Sequence, residues 1–236
     1  MADLDVFGPI AENIRDPGTR LHLVERFEQP PGINADIAIG FNRNFEVLGT
    51  NAVSADVTLS TTGGINLATH GGATDSTIIL PHLDAAQTTW ATATPFATAK
   101  SPQWGVTIQT DSALTNTTIW AGCKLTNTPV VATDDDQVMF RYKQGTDTTW
   151  QCIYSIAGTD TTVDSGVTLA ASTQYRLWIT VDSTRKARFF INGEVKATST
   201  ALTSLTTLIP YVGVLSASTA SAKNLIVRNC WASRNY

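Results

Sequence analysis

From Phe45 onward, short runs of β-forming residues alternate with turn clusters at the roughly 8 to 12 residue spacing of an all-β sandwich. Val53 to Leu59 alternates apolar with polar positions and stops at Thr61-Thr62-Gly63-Gly64. Ile78-Ile79-Leu80, Trp104 to Thr110, Thr117 to Leu125 and Val138 to Tyr142 follow, separated by His70-Gly71-Gly72, Ser101-Pro102, Asp111-Ser112 and Asp134-Asp135-Asp136. Trp150 to Ile156, Thr161 to Leu169, Tyr175 to Val181, Ala187 to Ile191, Val195 to Thr200, Leu208 to Leu215 and Leu225 to Ala232 complete about a dozen predicted strands of ordinary length. In the segment from Tyr175 the parity is strict: Tyr175, Leu177, Ile179 and Val181 share one face, and Arg176, Trp178 and Thr180 the other. Asp182-Ser183-Thr184 turns the chain, and Ala187, Phe189 and Ile191 return with the same alternation. Asn192-Gly193 then supplies the two positive-φ positions of a type I′ turn before Val195, which predicts a three-stranded antiparallel meander.

The first 45 residues follow a different pattern. Pro9, Pro17, Pro30 and Pro31 interrupt them, and Leu21, Leu23, Val24 and Phe27 fit a short amphipathic helix as well as an extended strand. This suggests an N-terminal arm or capping segment over residues 1–45 and a sandwich over 46–236. The arm could pack on its own domain or reach a neighbouring chain. Its apolar residues Phe7, Ile10, Leu21, Leu23 and Phe27 are the candidate partner contacts.

Composition adds constraints. Of the 236 residues, 42% are hydrophobic and 15% charged, with Thr, Ser and Asn making up much of the remainder, a balance suited to half-buried pleated surfaces. A formal net charge of -4 and the lack of a basic run argue against nucleic acid as a partner. The start of the chain lacks the charged-then-apolar layout of a signal peptide, and no apolar stretch approaches the roughly 18 residues of a membrane span. Synthesis in a host cytoplasm without a signal peptide, and no membrane partner, are the corresponding expectations.

The sequence carries no recognisable catalytic set and implies no cofactor. Cys123, Cys152 and Cys230 are widely separated and read as buried, inert thiols. His22, His70 and His82 are dispersed, with no partner at zinc-ligand spacing. Asp134, Asp135 and Asp136 form the densest charge cluster, a weak calcium candidate whose plainer reading is a solvated turn. Glycoside cleavage needs two carboxylates across a cleft, yet Glu194 is the only Glu after Glu46 and no E-x-D-x-x-E string occurs. No G-x-S-x-G or phosphate-loop glycine pattern is present. The chain therefore reads as a non-enzyme. Trp90, Trp104, Trp120 and Trp150 read as core, whereas Trp178, beside Arg176 and Thr180, is either exposed or under a second layer.

Two resemblances extend this reading. The run from Tyr175 to Asp182, followed by Ala187 to Gly193, resembles the strand–turn–strand hairpin of concanavalin A-like (laminin G-like) jelly rolls. Asn44 to Asn51, Ile78 to Asp84 and Leu125 to Val131 resemble segments of bacteriophage virion proteins. Together they imply a two-sheet antiparallel jelly-roll sandwich in a phage particle. The role implied is a capsid decoration (cement) protein on the virion surface, bound to the major capsid protein and assembled as a homotrimer. A carbohydrate-binding module of a tail fibre or spike, with a surface glycan as ligand, is the alternative. A fold alone does not choose between them.

Overall fold

A computed structural model describes residues 20–33, 42–81, 96–126, 134–204, 206–217 and 222–235. Seventeen strands form two sheets packed face to face. In chain order they are β1 (Arg20–Glu25), β2 (Pro31–Ile33), β3 (Asn42–Leu48), β4 (Val57–Leu59), β5 (Ile65–Ala68), β6 (Ser76–Pro81), β7 (Phe96–Ala97), β8 (Gln103–Thr110) and β9 (Thr117–Lys124). Then come β10 (Gln137–Lys143), β11 (Thr149–Ile156), β12 (Thr159–Thr168), β13 (Gln174–Val181), β14 (Lys186–Ile191), β15 (Glu194–Ala201), β16 (Thr207–Ser216) and β17 (Asn224–Asn235). One sheet has eight strands, ordered β15-β14-β13-β8-β17-β5-β4 with β1 also on β17; the other has nine, ordered β12-β11-β10-β9-β16-β6-β3-β2 with β7 on β16. All pairings are antiparallel except β2 with β3. The architecture is the expected all-β, two-sheet sandwich.

Strand parity decides which side chains meet in the middle. Tyr175, Leu177, Ile179 and Val181 of β13 and Ala187, Phe189 and Ile191 of β14 all enter one core with Val138, Phe140, Cys152 and Trp150 of the facing sheet. Phe140 meets Phe189 edge to face across the sheets, with ring centroids 5.4 Å apart. The predicted meander is present: β13 pairs with β14 and β14 with β15. Asn192 and Gly193 have φ values of 53° and 90°, and the Asn192 Oδ1 accepts from the Arg176 backbone N–H, tying the turn to β13.

Two expectations need correction. Residues 53–59 do not form one strand: Ser54–Asp56 is a 3-10 turn and only Val57–Leu59 is extended. The cause is Asp56, whose carboxylate accepts from the Val53 N–H and whose own N–H donates to the Val53 carbonyl, folding the chain back. Of the two placements open for the first 45 residues, the described part packs on its own domain. β1 runs along the open edge of β17, from Arg20 opposite Asn235 to Glu25 opposite Cys230, and Phe45 lies within β3. The ambiguous segment is thus a strand of the sandwich itself. Finally, Phe27 is not a surface contact for a partner. It is 1% exposed in the chain's own core, with its ring edge-on to Phe45 at 5.5 Å. Leu23 is half-buried and packs against the same core. Leu21 falls on β1, and Phe7 and Ile10 lie outside the described residues.

Candidate functional site

The outer face of the eight-stranded sheet carries the feature with the clearest capacity to bind. On β13 the parity that sends Leu177 inward turns Trp178 outward, and on β14 Phe189 inward means Phe190 outward. Trp178 is opposite Phe190, and their rings stack at 4.3 Å with 16° between planes. Phe190 is opposite Val195 on β15. On the other side Trp178 is opposite Gly105 of β8, which is opposite Trp231 of β17, which is opposite Val24 of β1. A Cβ on Gly105 would sit 2.5 Å from the Trp231 indole, so the glycine is the seat on which that ring rests. The result is one apolar row, Val195–Phe190–Trp178–Gly105–Trp231–Val24, crossing six strands and so roughly 24 Å long at the usual strand spacing. Trp231 is buried, Trp178 and Phe190 are half-buried, and Val24 and Val195 are 41% and 54% exposed.

Polar rows border it on both sides. Arg188, Thr180, Gln103 and Ser233 pair across four strands along one flank, and Arg176, Thr107 and Asn229 across three along the other. The arginines are exposed; Arg188 has the Asp182 carboxylate 3.9 Å away. Apolar surface rimmed by polar groups is the ordinary signature of an interaction site.

Beside Asn229 the face opens into a cavity of about 680 Å³, within the range that holds small ligands. Its origin lies in β17. β1 covers Cys230–Asn235 and β5 covers Asn224–Val227 along the same edge, leaving Arg228 and Asn229 between them. The register of β17 against β8 slips at this point. Gly64 brings the β4–β5 hairpin against β17 so closely that a Cβ would overlap the Val227 carbonyl oxygen, and its φ of 79° also favours glycine. Arg26, Phe27 and Glu28 wall the opposite side. Among the described lining residues Glu28 is the one carboxylate, so the acid pair of a glycoside hydrolase is not assembled there.

The outer face of the nine-stranded sheet differs. Ile78, Leu80, Trp120, Met139, Ile153 and Tyr211 form a second buried cluster, and Glu46 and Lys124 beside it are 0% exposed. The Lys124 ammonium lies 5.1 Å over the Tyr211 ring and 3.9 Å from Asp134. Burial lowers its pKa, partly offset by Asp134, and burial raises that of the Tyr211 phenol. These groups are closed off from solvent.

The three consecutive aspartates point apart. Asp134 accepts from the backbone N–H and hydroxyl of Thr126, Asp136 from the Thr203 hydroxyl and the Ala157 N–H, and the Asp135 carbonyl from the Gly158 N–H. Among the described residues no three His, Cys, Asp or Glu side chains gather as for a metal ion. Trp104 and Trp150 are core residues and Trp120 belongs to the second cluster; Trp90 and His82 lie outside the described residues. His70 is exposed, 3.6 Å from Asp56. Trp178 is legible from parity alone, whereas Phe190, Gly105, Trp231 and Arg228 are not. An interior strand glycine is a signal of close approach, but its partner lies 126 residues further along the chain.

No protein-family model matches the sequence, and no curated protein matches it. Similarity appears at the level of structure. A Shewanella oneidensis MR-1 protein of unknown function superposes with a TM-score of 0.64 at 12% identity, over 92% of this chain and 87% of that one. A Bacillus licheniformis β-glucanase gives 0.58 at 11%, over 91% and 98%. The carbohydrate recognition domain of Emp46p, in a potassium-bound form, gives 0.51 at 8%, over 80% and 88%. At such identities the likeness is one of fold, and the fold is the concanavalin-like jelly roll. Since a glucanase shares it, the expectation of a non-enzyme draws no support from the neighbours.

Proposed function

We propose that this chain is a glycan-recognition jelly roll displayed on a bacteriophage particle. The observation that carries the reading is the stacked pair Phe190 and Trp178, half-buried on the outer sheet face, in register with Gly105 and Trp231 and flanked by Thr, Gln, Asn and Arg side chains. Apolar ring surface beside hydrogen-bonding groups suits a sugar, which presents C–H patches and hydroxyls on one small body. Binding rather than cleavage accords with the single carboxylate in the adjoining cavity. Carbohydrate recognition in the Emp46p domain supports the reading at the level of the superfold. Probing a glycan array with the intact protein should return a defined set of hits that Trp178→Ala abolishes while its melting temperature stays close to wild type. An array without hits, or hits indifferent to the substitution, refutes the proposal.

The virion setting rests on the three phage-like segments, two of which overlap the paired strands β3 and β6. That resemblance favours a second reading, capsid decoration, with the major capsid protein as partner and a trimer as the assembly. Co-sedimentation with cognate capsids, without competition by glycan, would select it.

A further inference from the structure

We propose, resting on the glycan reading above, that the cavity beside Asn229 is a subsite for the anionic group of an acidic sugar such as a uronate, with Arg228 as its principal contact. Arg228 is the extra residue where the β17 register slips, so its side chain emerges on the outer face at the mouth of the cavity. Three of its five N–H donors are taken by neutral acceptors: the Thr62 carbonyl, the Thr62 hydroxyl and the Gln109 amide oxygen, the last at 2.6 Å. Its Nε is buried without a partner, and among the described residues no carboxylate pairs with it. A half-buried guanidinium held only by neutral groups is pre-positioned for an anion, which would take the remaining Nη1 donor in a charge-assisted bond.

Two further observations specify the ligand. Arg26 and Glu28 line the same cavity, so its described lining carries two guanidiniums and one carboxylate in a chain whose net charge is -4. Asn229 lines it too, and Trp231 lies two residues along the same face of β17, roughly 7 Å away at strand rise. Trp231 is itself buried, so a saccharide with one acidic unit in the cavity would rest its other units on the half-buried Trp178 and Phe190 further along the row. Isolated inorganic anions would use the cavity alone.

Titration calorimetry with tetragalacturonate and cellotetraose, on wild type, Arg228→Gln, Arg228→Lys and Trp178→Ala, tests this. Wild type should bind tetragalacturonate more tightly, with affinity falling as salt rises. Arg228→Gln should weaken tetragalacturonate by about tenfold, the effect of one lost charge-assisted hydrogen bond, and leave cellotetraose within about twofold. Arg228→Lys should fall between, and it carries the test if the Gln variant does not fold. Trp178→Ala should weaken both. Equal weakening of both saccharides by Arg228→Gln, or wild-type preference for cellotetraose, overturns the subsite and leaves the glycan reading standing. Binding of neither saccharide in any variant, together with an empty glycan array, overturns both.

Discussion

Phe27 shows how one side chain ties the start of the described chain to the sandwich. It adopts a φ of 52°, with its N–H donated to the Glu25 carboxylate at 2.7 Å, and that turn aims the ring inward against Phe45. Truncating a fully buried phenylalanine costs about 3–5 kcal/mol, so Phe27→Ala should shift the urea midpoint of unfolding strongly. An unchanged midpoint would mean the ring is not a core residue. Asp75 works through its charge instead. Its carboxylate accepts from the Asn51 side-chain amide and the Gly72 N–H, and those bonds, the first being the larger influence, hold its pKa below the ordinary 3.8. Because the folded state has the lower pKa, the stabilisation is complete above pH 3.8 and disappears as pH falls through the folded value. Melting curves of wild type and Asp75→Asn should therefore differ at pH 6 and approach one another as the pH is taken progressively below 3.8.

At the scale of elements, alternation along a single strand is readable from the sequence and adjacency between strands is not. The parity of β13 and β14 puts Leu177 and Trp178 on opposite faces, and hydrophobic contrast along those strands is high enough for the pattern to stand out. The segment at β1 fits helix and strand alike. Leu21 and Leu23 match a period of two, while Leu23, Val24 and Phe27 match a helical face; the unpaired edge of β17 is what resolves it. The short β5 is not legible, because Ile65 and Leu67 are only two core positions among turn residues. The aromatic row is hidden for a related reason: its members at positions 24, 105, 178, 190, 195 and 231 meet only through register. Gly105 tests that register directly. A Cβ there would overlap the Trp231 ring, so Gly105→Ala should cost about 1–3 kcal/mol, alter the near-ultraviolet dichroism of the indole and weaken glycan binding along the row. A variant with native dichroism and native binding would show that Trp231 does not rest on Gly105.

For the molecule as a whole, one core cluster runs from Phe27 and Phe45 near the start to Cys230 and Ala232 near the end. The segment expected to be an arm is therefore continuous with the fold in its described part. β1 supplies the hydrogen-bonding partner for Cys230–Asn235, and β3 joins β2 to β6. A chain beginning at residue 46 would lose β1, β2, Phe27 and Phe45 together. It would leave the last six residues of β17 with an open edge and a void where two aromatic rings had packed. Such a truncation should melt at much lower temperature than the full chain in scanning calorimetry, with a broadened transition, and should aggregate through the uncovered edge of β17. If instead it melts as sharply and as high as the full chain, residues 46–236 are a self-sufficient domain and the preceding strands are an appendage after all. Because the loop after β1 also forms one wall of the cavity beside Arg228, the truncated chain should lose its preference for acidic over neutral saccharides even under conditions where it stays folded.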